Sequence, residues 1–90
     1  MIDTQQALEL MKLRLNRASG YTPLDAMLEA RIASAIGEIE ATGITLTDST
    51  EDLMLVVDYA VWQYSSRDKQ TGMPDWLRLR RRERWLKRDT

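Results

Sequence analysis

Five carboxylates and one run of cations are the residues through which this chain could do chemistry. The carboxylates are Glu38 with Glu40, Glu51 with Asp52, and Asp58. Glu38 and Glu40 stand two apart, which places them on different sides of a helix. Glu51 and Asp52 fall in the first turn of an expected helix, where negative charge favours the helix dipole. Asp58 lies inside an apolar run, where burial would shift its pKa. The general rule for such a charge is that it pairs with an Arg or faces water. The chain contains no His and no Cys. That removes the usual proton-transfer residue near neutral pH, the commonest metal ligand, thiol nucleophiles and disulfides. No phosphate loop, Gly-rich fingerprint or metal-ligand spacing occurs. The expectation is therefore a non-enzyme, with no catalytic residue, cofactor or metal assigned.

The cations are Arg78, Arg80, Arg81, Arg82, Arg84, Lys87 and Arg88, with Trp76 and Trp85 interleaved. Arg and Lys neutralise phosphates, and Trp stacks on bases, so a nucleic-acid contact is one use of this pattern. A protein contact is another. Arg forms bidentate pairs with carboxylates, and Trp and Arg are enriched among interface anchors. Residues 1–75 carry six Lys/Arg and twelve Asp/Glu, a net of −6, while residues 76–90 carry a net of +5. An acidic body would repel DNA, so the asymmetry favours docking to an acidic protein surface. The expected docking residues are Trp76, Arg78, Arg81, Arg82, Trp85 and Lys87. A membrane role ranks last, because the apolar face is short and basic residues encircle it.

The elements that must position these groups are helical. The length, 90 residues, fits one small domain, and the composition (43% hydrophobic, 30% charged) is that of a soluble globular chain. No run of 18 apolar residues exists, and the N-terminus lacks the features of a signal peptide. Helix one is expected over about residues 4–17, capped by Asp3, with Leu8, Met11 and Leu15 at helical spacing and a stop at Ala18-Ser19-Gly20. Helix two is expected from a Thr22 cap and Pro23 to Thr42-Gly43. Its apolar face is Leu24, Leu28, Ile32, Ile36 and Ile39. Gly37 is an interior glycine, read as the mark of a close helix crossing.

Residues 44–50 read as an extended link whose Ile44 and Leu46 close one end of the core. Helix three is expected over about residues 50–67, capped through Asp48 with Glu51 or Ser49 with Asp52. It is apolar on nearly every side, so it should be central. Leu53, Val57, Ala60 and Tyr64 join Leu28, Ile32, Ile36 and Ile39 as the expected core. Pro74 starts a basic amphipathic helix from Trp76 to about Lys87, in which Trp76, Leu79 and Leu86 share a face. With five large apolar groups among seven cations, this segment gains little by packing on its own domain. It is expected to order on docking. The fold expected is thus all-α: a bundle of three to four helices over residues 1–75, with a basic C-terminal helix or docking tail, residues 76–90, in the same domain.

The order of elements carries a resemblance. A Thr22-Pro23 start and a long Ile/Ala-rich helix ending at Thr42-Gly43 lead, through a Thr/Asp/Ser link, to Leu53-Met54-Leu55-Val56-Val57-Asp58-Tyr59-Ala60. Tyr64, Arg67-Asp68, Thr71-Gly72-Met73-Pro74 and a basic helix with Trp76-Leu77 follow. Over most of residues 4–86 this resembles the small head–tail connector (adaptor) proteins of long-tailed bacteriophages and prophages. The heavier Arg load after Pro74 departs from that pattern and leaves a DNA role open. The resemblance implies a helical bundle assembled as a homo-oligomeric ring beneath the portal protein. Such a ring extends the DNA channel and carries the tail or stopper protein. It implies that the C-terminal segment, here residues 76–88, engages the portal. It also implies a virion location at the head–tail interface, with host cytoplasm before assembly. The alternative is a small DNA-binding or DNA-packaging accessory protein that uses residues 78–88 on phosphates.

Overall fold

A computed structural model describes residues 2–15, 23–66 and 72–87. The described residues form four α-helices and no strands: α1 (Thr4–Arg14), α2 (Asp25–Glu40), α3 (Thr50–Ser65) and α4 (Asp75–Leu86). The all-α class expected from the sequence is what the chain adopts. The expected stop at Ala18-Ser19-Gly20, the Thr22 cap, Arg67-Asp68, Thr71 and Arg88 lie outside the described residues.

The local rules set most helix ends. The Asp3 carboxylate accepts from the backbone N–H groups of Gln5 and Gln6, so two of the orphan donors that open α1 are satisfied. Ser49 caps α3, its Oγ accepting from the Asp52 N–H at 3.2 Å. Of the two caps open from the sequence, Ser49 with Asp52 is the one used. At the end of α2, Gly43 takes φ 101°, a left-handed conformation that costs glycine little. The start of α2 differs from expectation. Pro23 and Leu24 form a turn, Leu24 occupies the cap position without a side-chain hydrogen bond, and the helix begins at Asp25.

Helix α3 is central and packs against α1, α2 and α4. Its Leu55, Val56, Val57 and Ala60 are almost completely buried, and Leu28, Ile32, Ala35 and Ile39 of α2 meet them in one core. Each such Leu, Ile or Val removed from water contributes about 1.5–3 kcal/mol. Leu53 is buried too, whereas Ile36 and Tyr64, expected in the core, are only partly buried and pack against its edge. Ile44 and Leu46 of the link are buried and close the core, as their alternation with Thr implies.

Two expectations change. A Cβ added at Gly37 would meet nothing within 4 Å, so no close helix crossing occurs there among the described residues. Nor are residues 76–87 a tail without a seat on the domain. Helix α4 packs on α3, and Leu77 is fully buried in the common core.

Candidate functional site

The fourth helix is built inside out relative to its composition. Leu77 fixes which side faces inward, and Arg84, seven residues on, falls on the same side by helical periodicity. Arg80 and Arg81 flank that line. Trp76, Leu79 and Leu86 do share a face, as the spacing predicts, but they point to solvent and are 51%, 55% and 60% exposed. Three large apolar groups are outside, whereas Arg84 is turned inward at 17% exposure and Arg80, half exposed, reaches in with its guanidinium.

The inward cations are seated on α3 carboxylates. Arg84 donates from Nε to Asp52 Oδ1 at 2.7 Å and from Nη2 to Asp52 Oδ2 at 3.2 Å. The same Nη2 reaches the Thr45 carbonyl at 2.8 Å. Asp52 is nearly fully buried, and its Oδ2 also accepts from the backbone N–H and hydroxyl of Thr47, each at 2.8 Å. Burial pushes the Asp52 pKa up, but hydrogen bonds from Arg84 and Thr47 outweigh it, so the carboxyl sits below its ordinary 3.8. Arg84 is correspondingly raised by its bond to Asp52.

Asp58, also buried, stands where three helices meet. It accepts from Arg14 of α1 at 2.5 Å and from Arg80 of α4. Of the two fates open to Asp58 from the sequence, pairing with Arg is the one adopted. Two further groups went unread in the sequence. Asp52 was assigned to the helix dipole, whereas its main work is to hold Arg84. Lys12 is buried and pairs with Asp25 at 2.6 Å, joining α1 to α2. Its signal was present: Lys12 stands four residues after Leu8, on the apolar face of α1.

The expected docking residues do not act as one set. Trp76 is exposed, with the Arg80 guanidinium 5.7 Å from its ring centre. Arg78 is exposed and pairs with Asp75 within the first turn. Arg82 and Lys87 are exposed, and Arg81 is partly buried beside Tyr59. Trp85 departs from the role of a free anchor. Its indole N–H donates to the Thr42 carbonyl at 2.7 Å, tying the end of α4 to the end of α2. Sequence reasoning left Leu79 and Leu86 out of the docking set, yet they form the most exposed apolar stripe of the helix. Their spacing of seven, out of phase with Leu77 by half a turn, was the available signal.

Glu38 accepts from Gln63 Nε2 at 2.6 Å and faces Tyr59, whose hydroxyl is held above its ordinary pKa by burial first and by Glu38 next. Glu40 and Glu51 are exposed. Among the described residues no helix is long and apolar enough to cross a membrane. No family model matches the sequence, and neither the curated proteins nor the solved structures give a match.

Proposed function

We propose that this chain is a non-catalytic structural subunit of a phage head–tail connector ring, and that it docks through the outer face of α4. The observation that carries the reading is the outward stripe of Trp76, Leu79 and Leu86, more than half exposed and bordered by Arg78 and Arg82. An apolar stripe with an Arg border fits a partner surface that is apolar at its centre and acidic at its rim. The sequence resemblance supplies the identity of that partner: the portal protein at one end of the ring and a tail or stopper protein at the other, with DNA passing through the channel. An acidic body suits that passage, because like charge keeps DNA from adhering. The location that follows is the virion head–tail interface.

The test is co-sedimentation of the purified chain with portal-bearing capsids. The double variant Leu79→Ser with Leu86→Ser should keep its fold and lose attachment. Attachment equal to the original chain would remove the stripe from docking.

A second reading, a DNA-packaging accessory protein, is favoured by one observation: the exposed Arg78 and Arg82 lie on the same helix as the exposed Trp76, and the exposed Lys87 follows at its end. It requires tight duplex binding at physiological salt, with affinity falling steeply as salt rises. Weak, sequence-independent binding would leave the connector reading in place.

A further inference from the structure

The outer face of α4 is assigned above to a partner; its inner face has a separate use. Helix α4 joins the bundle through α3, and Leu77 is its only fully buried side chain. The rest of its seat is polar: two ion pairs and the hydrogen bond from the Trp85 indole to the Thr42 carbonyl. Arg84 is forked onto Asp52, and Arg80 reaches Asp58. A helix held by one apolar plug, two charge pairs and one indole hydrogen bond differs from α2, which is held by four buried aliphatic side chains. Apolar burial is insensitive to nearby charge, whereas an ion pair is lost when a competing charge takes either partner. The acidic partner that suits the outer face of α4 carries that competing charge.

We propose that α4 is a charge-clamped arm. In the seated state Asp52 withholds Arg84, while Asp58 tethers the half-exposed Arg80, and release of the arm presents Arg84 to an acidic partner and frees Arg80 from its tether. The inference rests on the docking reading for the partner's acidity, but the clamp is a property of the free chain. Seated, the arm offers the stripe with Arg78, Arg82 and the half-exposed Arg80. Released, it offers Arg84 as well, so a partner rich in carboxylates is bound in two stages. The freed Asp58 retains Arg14 and the freed Asp52 retains its two bonds from Thr47, so both carboxylates keep partners when the arm leaves. That makes local opening cheaper than it would be for wholly orphaned charges.

Hydrogen exchange on the free full-length chain tests the clamp without any capsid, so its failure and failure of the connector reading are separable. In the original chain, amides of residues 78–86 should exchange faster than those of residues 54–60, because α4 opens without global unfolding. Asp52→Asn and, from the other side of the pair, Arg84→Met should each speed exchange in α4 by at least about tenfold and leave the centre of α3 within about twofold. The second variant guards against an effect of Asp52→Asn on the start of α3. Glu9→Gln, an exposed site on α1, is the charge-matched control and should change neither.

Polyglutamate is the probe for the withheld cation. Asp52→Asn should bind it several-fold more tightly than Glu9→Gln does. Exchange of α4 in step with α3 in the original chain, or no acceleration in both clamp variants, overturns the clamp. Equal polyglutamate binding by Asp52→Asn and Glu9→Gln overturns the withholding of Arg84.

Discussion

Arg84 and Asp52 form a forked pair across α4 and α3, with both carboxylate oxygens engaged and the Arg84 side chain only 17% exposed. The same carboxylate fastens the link before α3 through Thr47. One side chain thus holds two segments to the start of the central helix. Asp52→Ala leaves Arg84 beside a vacated site and strips the Thr47 backbone N–H of its acceptor. Breaking one side of a buried pair costs about 3–5 kcal/mol. The expected loss is at the lower end, about 3 kcal/mol, because Arg84 keeps the Thr45 carbonyl. Urea unfolding followed by circular dichroism measures it, and a loss below about 1 kcal/mol would show that the pair is not a main support.

The pair sets a pH dependence. The Asp52 carboxyl is depressed below 3.8 in the folded chain, so the folded state favours its ionised form. Its contribution to stability is complete above about 3.8, the unfolded value, and is lost as pH falls below that and through the lower folded value. From pH 7 down to about 5 this group should leave the melting temperature unchanged. Below about 4 stability should fall, and Asp52→Asn should flatten that part of the profile. A profile with the same acid slope in both proteins would assign the acid sensitivity to other carboxylates.

Gly37 offers a gain. It sits in the interior of α2, exposed, with no described atom near the place of a Cβ. Glycine there gives up more backbone entropy on folding than alanine does. Gly37→Ala should therefore stabilise the chain by about 0.5–1 kcal/mol. Thermal unfolding measures the change. A destabilisation would mean that something approaches this face in the protein as it exists in solution.

The helices and the core were legible because they rest on spacing. Leu28, Ile32 and Ile39 recur on one face, and α3 reads as apolar all round, so both positions follow from periodicity alone. The seat of α4 was not legible in the same way. Periodicity groups Trp76, Leu79 and Leu86 correctly, but it does not say whether that face or the face of Leu77 turns inward. The preference for burying the larger apolar set points the wrong way here. The choice is made by two acids on another helix, Asp52 and Asp58, whose positions relative to Arg84 and Arg80 exist only once α3 and α4 are placed. The same holds for Trp85, whose partner is a backbone carbonyl 43 residues earlier.

The core assignment carries its own test. Val57 is fully buried at the centre of α3. Val57→Asp places a charge there with no partner, a cost beyond what a small domain's stability of about 5–15 kcal/mol tolerates alongside lost packing. The variant should show no cooperative melt by circular dichroism. A melting temperature near that of the original chain would contradict the central position of α3.

Removal of the fourth helix tests how the arm and the body depend on each other. The composition of residues 76–90 alone implies that a chain ending at Gln70 still folds as a helical bundle. The structure adds that it does so at a cost in stability. Truncation removes Leu77, fully buried, and deleting one buried Leu side chain costs about 2–5 kcal/mol. It also removes Arg84 from Asp52 and Arg80 from Asp58, although Thr47 and Arg14 remain to satisfy part of each carboxylate. The tie from Trp85 to the end of α2 is lost as well. The α1–α2–α3 core keeps Leu28, Ile32, Ile39, Val56 and Val57 in contact, so the shortened chain should still be helical. Its unfolding free energy should fall by roughly 3–5 kcal/mol, and the uncovered face of α3 should bind an apolar dye that the full chain does not. An unchanged unfolding midpoint with no dye binding would mean that α4 adds nothing to the bundle. The ion pairs with Asp52 and Asp58 would then not hold it there in solution.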